Sequence, residues 1–223
     1  MYGIEPKTAR HTSHTHKKVG ISMQKVTIWL ATVILGSGFI WAVGLPAQEE
    51  ASSDGPDYTN GTELQRPLDY REWTFLSSSL NLTYIDESGA SESRPELFQN
   101  VFVNPSSYRG FMDSGQWPDE TVFVLEIRRS SQEETLSAGG QFQSNLVALE
   151  AEVKDSRFSD GWAFYDFGVA GSLRDASPPL EGERVARCIA CHTDHTAVER
   201  TFVQFYPTLM EIARQKGTVK PGF

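Results

Sequence analysis

The run Cys188-Ile189-Ala190-Cys191-His192 constrains this chain more than any other five residues. It holds both cysteines of the 223 residues, with a histidine directly behind the second. Three chemistries use such a pair: a thiol–disulfide centre, a zinc ion and a covalently attached haem. A structural zinc site needs four ligands. Beyond residue 47 the only Cys and His are Cys188, Cys191, His192 and His195. They are crowded on two helical turns, where the adjacent Cys191 and His192 point in different directions. A thioredoxin-like dithiol belongs at a strand-to-helix junction of a βαβ unit. The segments before this run read instead as an antiparallel sheet. Covalent haem uses every residue of the run: the two thiols take the vinyl groups and the following histidine takes the iron. The expected cofactor is therefore one haem c, held by Cys188 and Cys191, with His192 as the proximal iron ligand.

The sixth ligand must come from the opposite ring face. His195 lies one turn after His192 and so on the proximal side. Met112 and Met210 both read as core residues, and the lysines beyond residue 47 are only Lys154, Lys216 and Lys220. That scarcity favours a five-coordinate iron that binds a small molecule rather than a pure electron carrier.

The first 47 residues differ from the rest. Val26 to Leu45 is an uncharged apolar run, preceded by Lys25 and followed by Pro46-Ala47 and an acidic stretch. This reads as a signal peptide cleaved near Ala47, or as a retained N-terminal membrane anchor. Either way the domain is exported, to a periplasm or its equivalent. The basic, His-rich "HTSHTHKK" upstream reads as a long leader, or as sequence ahead of a true start at Met23, rather than as a metal site. Without residues 1–47 the chain keeps 15 basic and 28 acidic residues, net −13. Nucleic-acid binding is not expected at that charge.

Residues 48–67 are polar and turn-rich and read as a linker before a domain at 68–223. The sequons at Asn60 and Asn81 read as chance. Strand patterns occupy 71–78, 97–104, 121–129, 142–153 and 162–169. Asn104-Pro105 opens a short helix, with Asn104 as N-cap, that Gly115 closes. The last quarter is helical: first the cysteine segment, then "PTLMEIARQ" after Pro207. The sum is an α+β domain: an antiparallel sheet with surrounding helices and a C-terminal haem-bearing helix.

Along 121–128 the side chains alternate. If Leu125 faces the haem, Phe123 and Ile127 do too, an apolar distal face with no obvious proton acceptor. Glu126 then points away, toward an arginine. Trp162, Phe164, Phe167, Phe202, Phe205 and Tyr206 are expected around the ring or in the core. Arg71 and Arg109 are candidate propionate partners.

The ordered segments "DYREWTFLSSS", "FQNVFVNPSSYRGFMDSGQWPDETVFVLEI", "ALEAEVKDSRF", "GWAFYDFG" and "CIACHTDHTAVERTFVQFYP" resemble the cytochrome P-460 family over about residues 68–210. The resemblance implies a mostly β domain with one haem c on a C-terminal helix. The family includes hydroxylamine-oxidising enzymes and the cytochrome c′-beta proteins, which bind nitric oxide and carbon monoxide. The enzymes resembled carry a lysine cross-linked to the ring, at the place where this chain has Leu125. Lys154 lies in another segment and reads as a solvated strand-end charge. The leading expectation is an exported monohaem cytochrome that binds a gas such as nitric oxide. A hydroxylamine or nitrogen-compound oxidoreductase and a six-coordinate electron carrier are the alternatives. A redox partner protein and a homodimer are compatible with the sequence.

Overall fold

The fold is described from a computed structural model, for residues 54–82, 96–133 and 139–223. The apolar run at 26–45 and the preceding His-rich stretch lie outside the described residues. A meander of five antiparallel strands forms the main sheet: β3 (Thr74–Leu80), β4 (Leu97–Val103), β5 (Thr121–Ser131), β6 (Phe142–Lys154) and β7 (Trp162–Val169). Each strand falls within a few residues of the stretch where apolar alternation predicts it. The first begins later than expected, because Tyr70–Glu72 is a 3-10 turn.

Residues 58–65, read from sequence as part of a linker, form two strands. These are β1 (Tyr58–Thr59) and β2 (Glu63–Gln65), which pair with β8 (Ala176–Ser177) in a second antiparallel sheet. The reason is Leu64, fully buried among Tyr70, Trp73, Tyr165 and Phe167. A single well-placed leucine outweighs the polar composition around it. Asn60 (φ 48°) and Gly61 (φ 90°) make the turn between β1 and β2 in the left-handed conformation that Asn-Gly favours. Asn81 (φ 58°) is also left-handed, just past β3. Both sequon asparagines thus have a turn role.

The main sheet is covered on both faces, and strand alternation sorts the residues between them. Val122, Val124, Leu149, Ala151 and Val153 join Leu64 and Tyr165 in one core. Phe123 and Val103 join Phe111, Trp117, Leu209 and Met210 in the other. The second core is closed by α1 (Pro105–Ser114) and α3 (Pro207–Lys216). Gly115 ends α1 at φ 74°, and a Cβ there would stand 2.7 Å from the Lys216 Cβ, so the contact with α3 requires glycine. Asn104 precedes α1 as expected but does not cap it with its side chain. Its Oδ1 accepts the Val122 N–H (2.9 Å), and Asp54 Oδ2 accepts the Ser106 N–H (2.8 Å) in its place. The third helix, α2 (Gly182–Asp194), carries the cysteines. Among the described residues no helix is long and apolar enough to cross a membrane.

Glu126 is the one charged side chain among the largest fully buried ones, 1% exposed on the face opposite Leu125. It accepts hydrogen bonds from Tyr70 Oη (2.5 Å), Arg128 Nε (2.6 Å), Asn100 Nδ2 (3.0 Å) and Arg71. Its direction and arginine pairing match the alternation argument. Burial opposes the charge, but the Arg128, Tyr70 and Asn100 hydrogen bonds outweigh it and hold the carboxyl below the ordinary carboxylate value. A depressed folded value stabilises the fold above the unfolded pKa, about 4.3 for glutamate, and the contribution is lost as pH falls through the folded value. Glu126→Ala is expected to cost about 3 kcal/mol at neutral pH in urea denaturation, because Arg128 and Asn100 lose their acceptor. The difference from the wild type should shrink below about pH 4.

Candidate functional site

A cavity of ≈ 1030 Å³ opens between α2 and the α1/α3-covered face of the main sheet. That is the upper end of the range for pockets that take a whole organic ligand. Its walls come from three places. β3 to β7 supply Val101, Phe123, Leu125 and Phe164; the segment after α2 supplies His195, Phe202, Phe205 and Tyr206; α2 supplies Cys191 and His192. The register explains the sheet wall. Val101 lies opposite Leu125, which lies opposite Glu150; Val103 lies opposite Phe123, which lies opposite Glu152. Cross-strand partners share a face.

α2 buries none of its residues, although its sequence is amphipathic. A helix with an apolar stripe normally buries that stripe. Here Val185, Cys188 and Ile189 are only half-buried, and Arg187, Ala190, Cys191 and His192 are the residues of α2 that line the cavity. Cys188 and Cys191 sit one turn apart on this helix, both partly exposed. Burial raises the Cys188 thiol pKa, and Glu150 and Glu152 raise it further.

His192 is the most constrained side chain of the site. Its ring stands edge-on to Phe164 (4.9 Å) and Phe202 (4.8 Å), both at 73°. Its Nδ1 lies 2.8 Å from the Arg200 carbonyl oxygen. A carbonyl only accepts, so Nδ1 carries a proton, and in the neutral ring Nε2 keeps its lone pair. The Glu152 Oε1 lies 3.1 Å from the same Nδ1, buried and without a directed hydrogen bond of its own. Burial alone would lower the His192 pKa; the Glu152 carboxylate reverses the sign and raises it. Burial raises Glu152 in turn, partly offset by His192.

The loop after α2 holds that carbonyl. Thr196 Oγ1 donates to the His192 carbonyl (2.5 Å), and Arg200 Nη1 binds Asp160 Oδ2 (2.9 Å). Glu199, at φ 50°, accepts from Lys154 Nζ (2.6 Å), which also donates to the Trp117 carbonyl (2.6 Å). Lys154 is therefore not the solvated charge that its strand-end position suggests. It fastens the loop that faces His192.

These residues suit a haem. The cavity is large and mostly apolar, the paired cysteines lie on its helical wall, and an imidazole with a bare Nε2 faces it. The structure gathers Phe123, Leu125, Cys191 and His192 around one space, with Cys188 one turn from Cys191 on the same helix. Ile127 shares the Leu125 face but stands outside the lining, beside the irregularity in pairing at Ile127/Arg128. Arg71 is on the other face, bound to Glu126, and Arg109 is exposed on α1. Neither touches the cavity; Arg187 of α2 is the arginine that lines it. Met210 is buried in the second core and Met112 packs against it. Of the six aromatics, Phe164, Phe202, Phe205 and Tyr206 line the cavity, whereas Phe167 belongs to the opposite core and Trp162 packs against the second core.

Alternation along β5 alone gave a wall without a proton acceptor. The adjacent strand corrects this: Glu150 and Glu152 enter the same space. Burial raises the Glu150 pKa and the nearby Asp166 raises it further. The signal was present in "LEAEV", where two glutamates alternate with residues that an interior strand buries.

The family model for cytochrome P460 matches residues 67–203. Among curated proteins no match is found. Lys154→Met is expected to cost about 2 kcal/mol in urea denaturation, since Glu199 and the Trp117 carbonyl lose a charged donor.

Proposed function

Because the chain belongs to the cytochrome P460 family, a family of haem-binding cytochromes, we propose that it is an exported c-type cytochrome with a single haem. In this reading Cys188 and Cys191 hold the ring covalently, and His192 Nε2 takes the iron. The observation that carries it is the bare Nε2 of His192, with Nδ1 committed to the Arg200 carbonyl, facing a large cavity on the cysteine helix. The haem supplies a metal that binds or oxidises small molecules; the chain decides which of these happens. His192 is fixed in tautomer and orientation by Arg200, Phe164 and Phe202. Val101, Leu125 and Phe123 form an apolar wall that disfavours water and tolerates a diatomic gas. Both described methionines are used in packing, which supports a five-coordinate iron open to nitric oxide or carbon monoxide. The apolar run at 26–45 supports export, by cleavage or as an anchor, and the acidic balance suits a basic redox partner.

One observation favours the alternative, oxidation of hydroxylamine or a related nitrogen compound. Glu150 lies directly across the ladder from Leu125 and lines the cavity, and burial raises its pKa, the direction that suits a proton acceptor. Against it stands Leu125, at the position where the resembled enzymes carry their cross-linking lysine.

Optical titration of the reduced protein separates the readings. The gas-binding reading expects a high-spin ferrous spectrum that shifts with carbon monoxide and nitric oxide, and no hydroxylamine turnover. Turnover that falls at least tenfold in Glu150→Gln would establish the oxidoreductase instead. A low-spin spectrum indifferent to carbon monoxide would establish the six-coordinate carrier. Leu125→Lys is expected to move the ferrous absorption bands; bands unchanged by that substitution would remove residue 125 from contact with the ring.

A further inference from the structure

Glu152 is not needed to tether the haem or to ligate the iron, yet it is placed with unusual care. It stands on β6, the second strand from the sheet edge, with β5 and β7 on either side. Its side chain is 11% exposed, and its Oε1 is buried 3.1 Å from His192 Nδ1. The ladder sets Phe123 on one side of it and Phe164 on the other. Buried carboxylates are rare and are kept where they have a partner. Here the polar neighbour of Oε1 is an N–H donor, which has no lone pair to receive a carboxylic proton. The oxygen therefore has only an acceptor's role to play.

The Nδ1 proton then has two acceptors. The Arg200 carbonyl at 2.8 Å takes the directed hydrogen bond, and the carboxylate stands beside it as a charge. A group hydrogen-bonded to the far nitrogen of a ligating histidine fixes its orientation and raises its basicity. An anion does this more strongly than a carbonyl, and burial in the sheet limits screening by water.

We infer that Glu152 is a positioning residue behind the axial ligand: its carboxylate, together with the Arg200 carbonyl, brackets the His192 Nδ1 proton and sets how strongly the ring donates to the iron. The inference rests on the haem reading and adds a residue to it. A stronger donor favours the ferric state, so Glu152 holds the reduction potential down. Glu150 provides the internal control. It lines the same cavity from the same strand but faces Leu125 and Asp166; it reaches His192 only as a nearby charge, with no hydrogen bond or ion pair to it among the described residues.

The test compares the purified haem protein with Glu152→Gln, Glu152→Asp and Glu150→Gln. The readouts are the midpoint potential and the iron–histidine stretching band of the reduced form in resonance Raman spectra. Glu152→Gln is expected to raise the potential and lower the stretching frequency. Glu152→Asp, which keeps the charge but draws it back, should shift both by less and in the same direction. Glu150→Gln should leave the stretching band in place. If Glu152→Gln does not retain haem, Glu152→Asp decides alone. An unmoved stretching band in the Glu152 variants overturns the inference, as does a Glu150→Gln shift of equal size, which would mean only a general field effect. Wild-type protein without bound haem would instead overturn the haem reading itself.

Discussion

The structure depends on a sheet that is buried on both faces while its two faces do different work. Strand alternation sends Val122, Val124, Leu149 and Val153 to a closed hydrophobic core and Phe123, Leu125, Glu150 and Glu152 to a cavity. A shift of one residue in the β5–β6 register would exchange these sets and bury two carboxylates where the small sheet packs. Glu126 holds β5 on the other side. It is a charge on the closed side, tied to Arg128 on its own strand, to Asn100 on β4 and to Tyr70 and Arg71 of the 3-10 turn, so it fixes β5, from which β6 takes its register, against β4. Polar groups satisfied in one arrangement only are a source of uniqueness that apolar packing lacks.

On the open face the same economy of contacts shapes the site. α2 has no burial of its own and is positioned by what it shares with the sheet. The segment after it is firmly tied: Thr196 to the helix end, Arg200 to Asp160, and Glu199 to Lys154. The last two bonds come from the turn before β7 and from β6, so the strands that build the cavity floor also fasten the loop that orients His192. The helix carrying the cysteines and the wall facing it are thereby referred to one rigid frame, which is what a site needs to hold an axial ligand in a single orientation.

Much of this was legible in the residues. Cys188, Cys191 and His192 lie within five residues, so their grouping on one helix needs no knowledge of the fold. The five main strands announce themselves by alternation, and α1 by its Pro105 start and Gly115 end. What the sequence concealed depends on contacts between distant segments. Leu64 looks like an isolated leucine in a polar stretch until β8 is placed beside it. Asn104 has the residue type and position of an N-cap, but Val122 competes for its side chain from 18 residues away. Lys154 and Glu199 pair across 45 residues. Arg71 and Arg109 carry the charge a propionate needs, but charge does not say whether a side chain reaches the cavity. The glutamates of β6 are hidden for the same reason: β5 alone shows the apolar half of the cavity wall, and the strand beside it supplies the carboxyl half.

The central claim is that the cavity beneath α2 holds one haem, bound through Cys188 and Cys191. Mass spectrometry of the chain, produced in cells that mature c-type cytochromes, tests it most directly. The account predicts an intact mass greater than the polypeptide by one haem under denaturing conditions, with the added mass confined to the peptide that contains Cys188 to His192. A denatured mass equal to the polypeptide alone, or added mass on any other peptide, would contradict it.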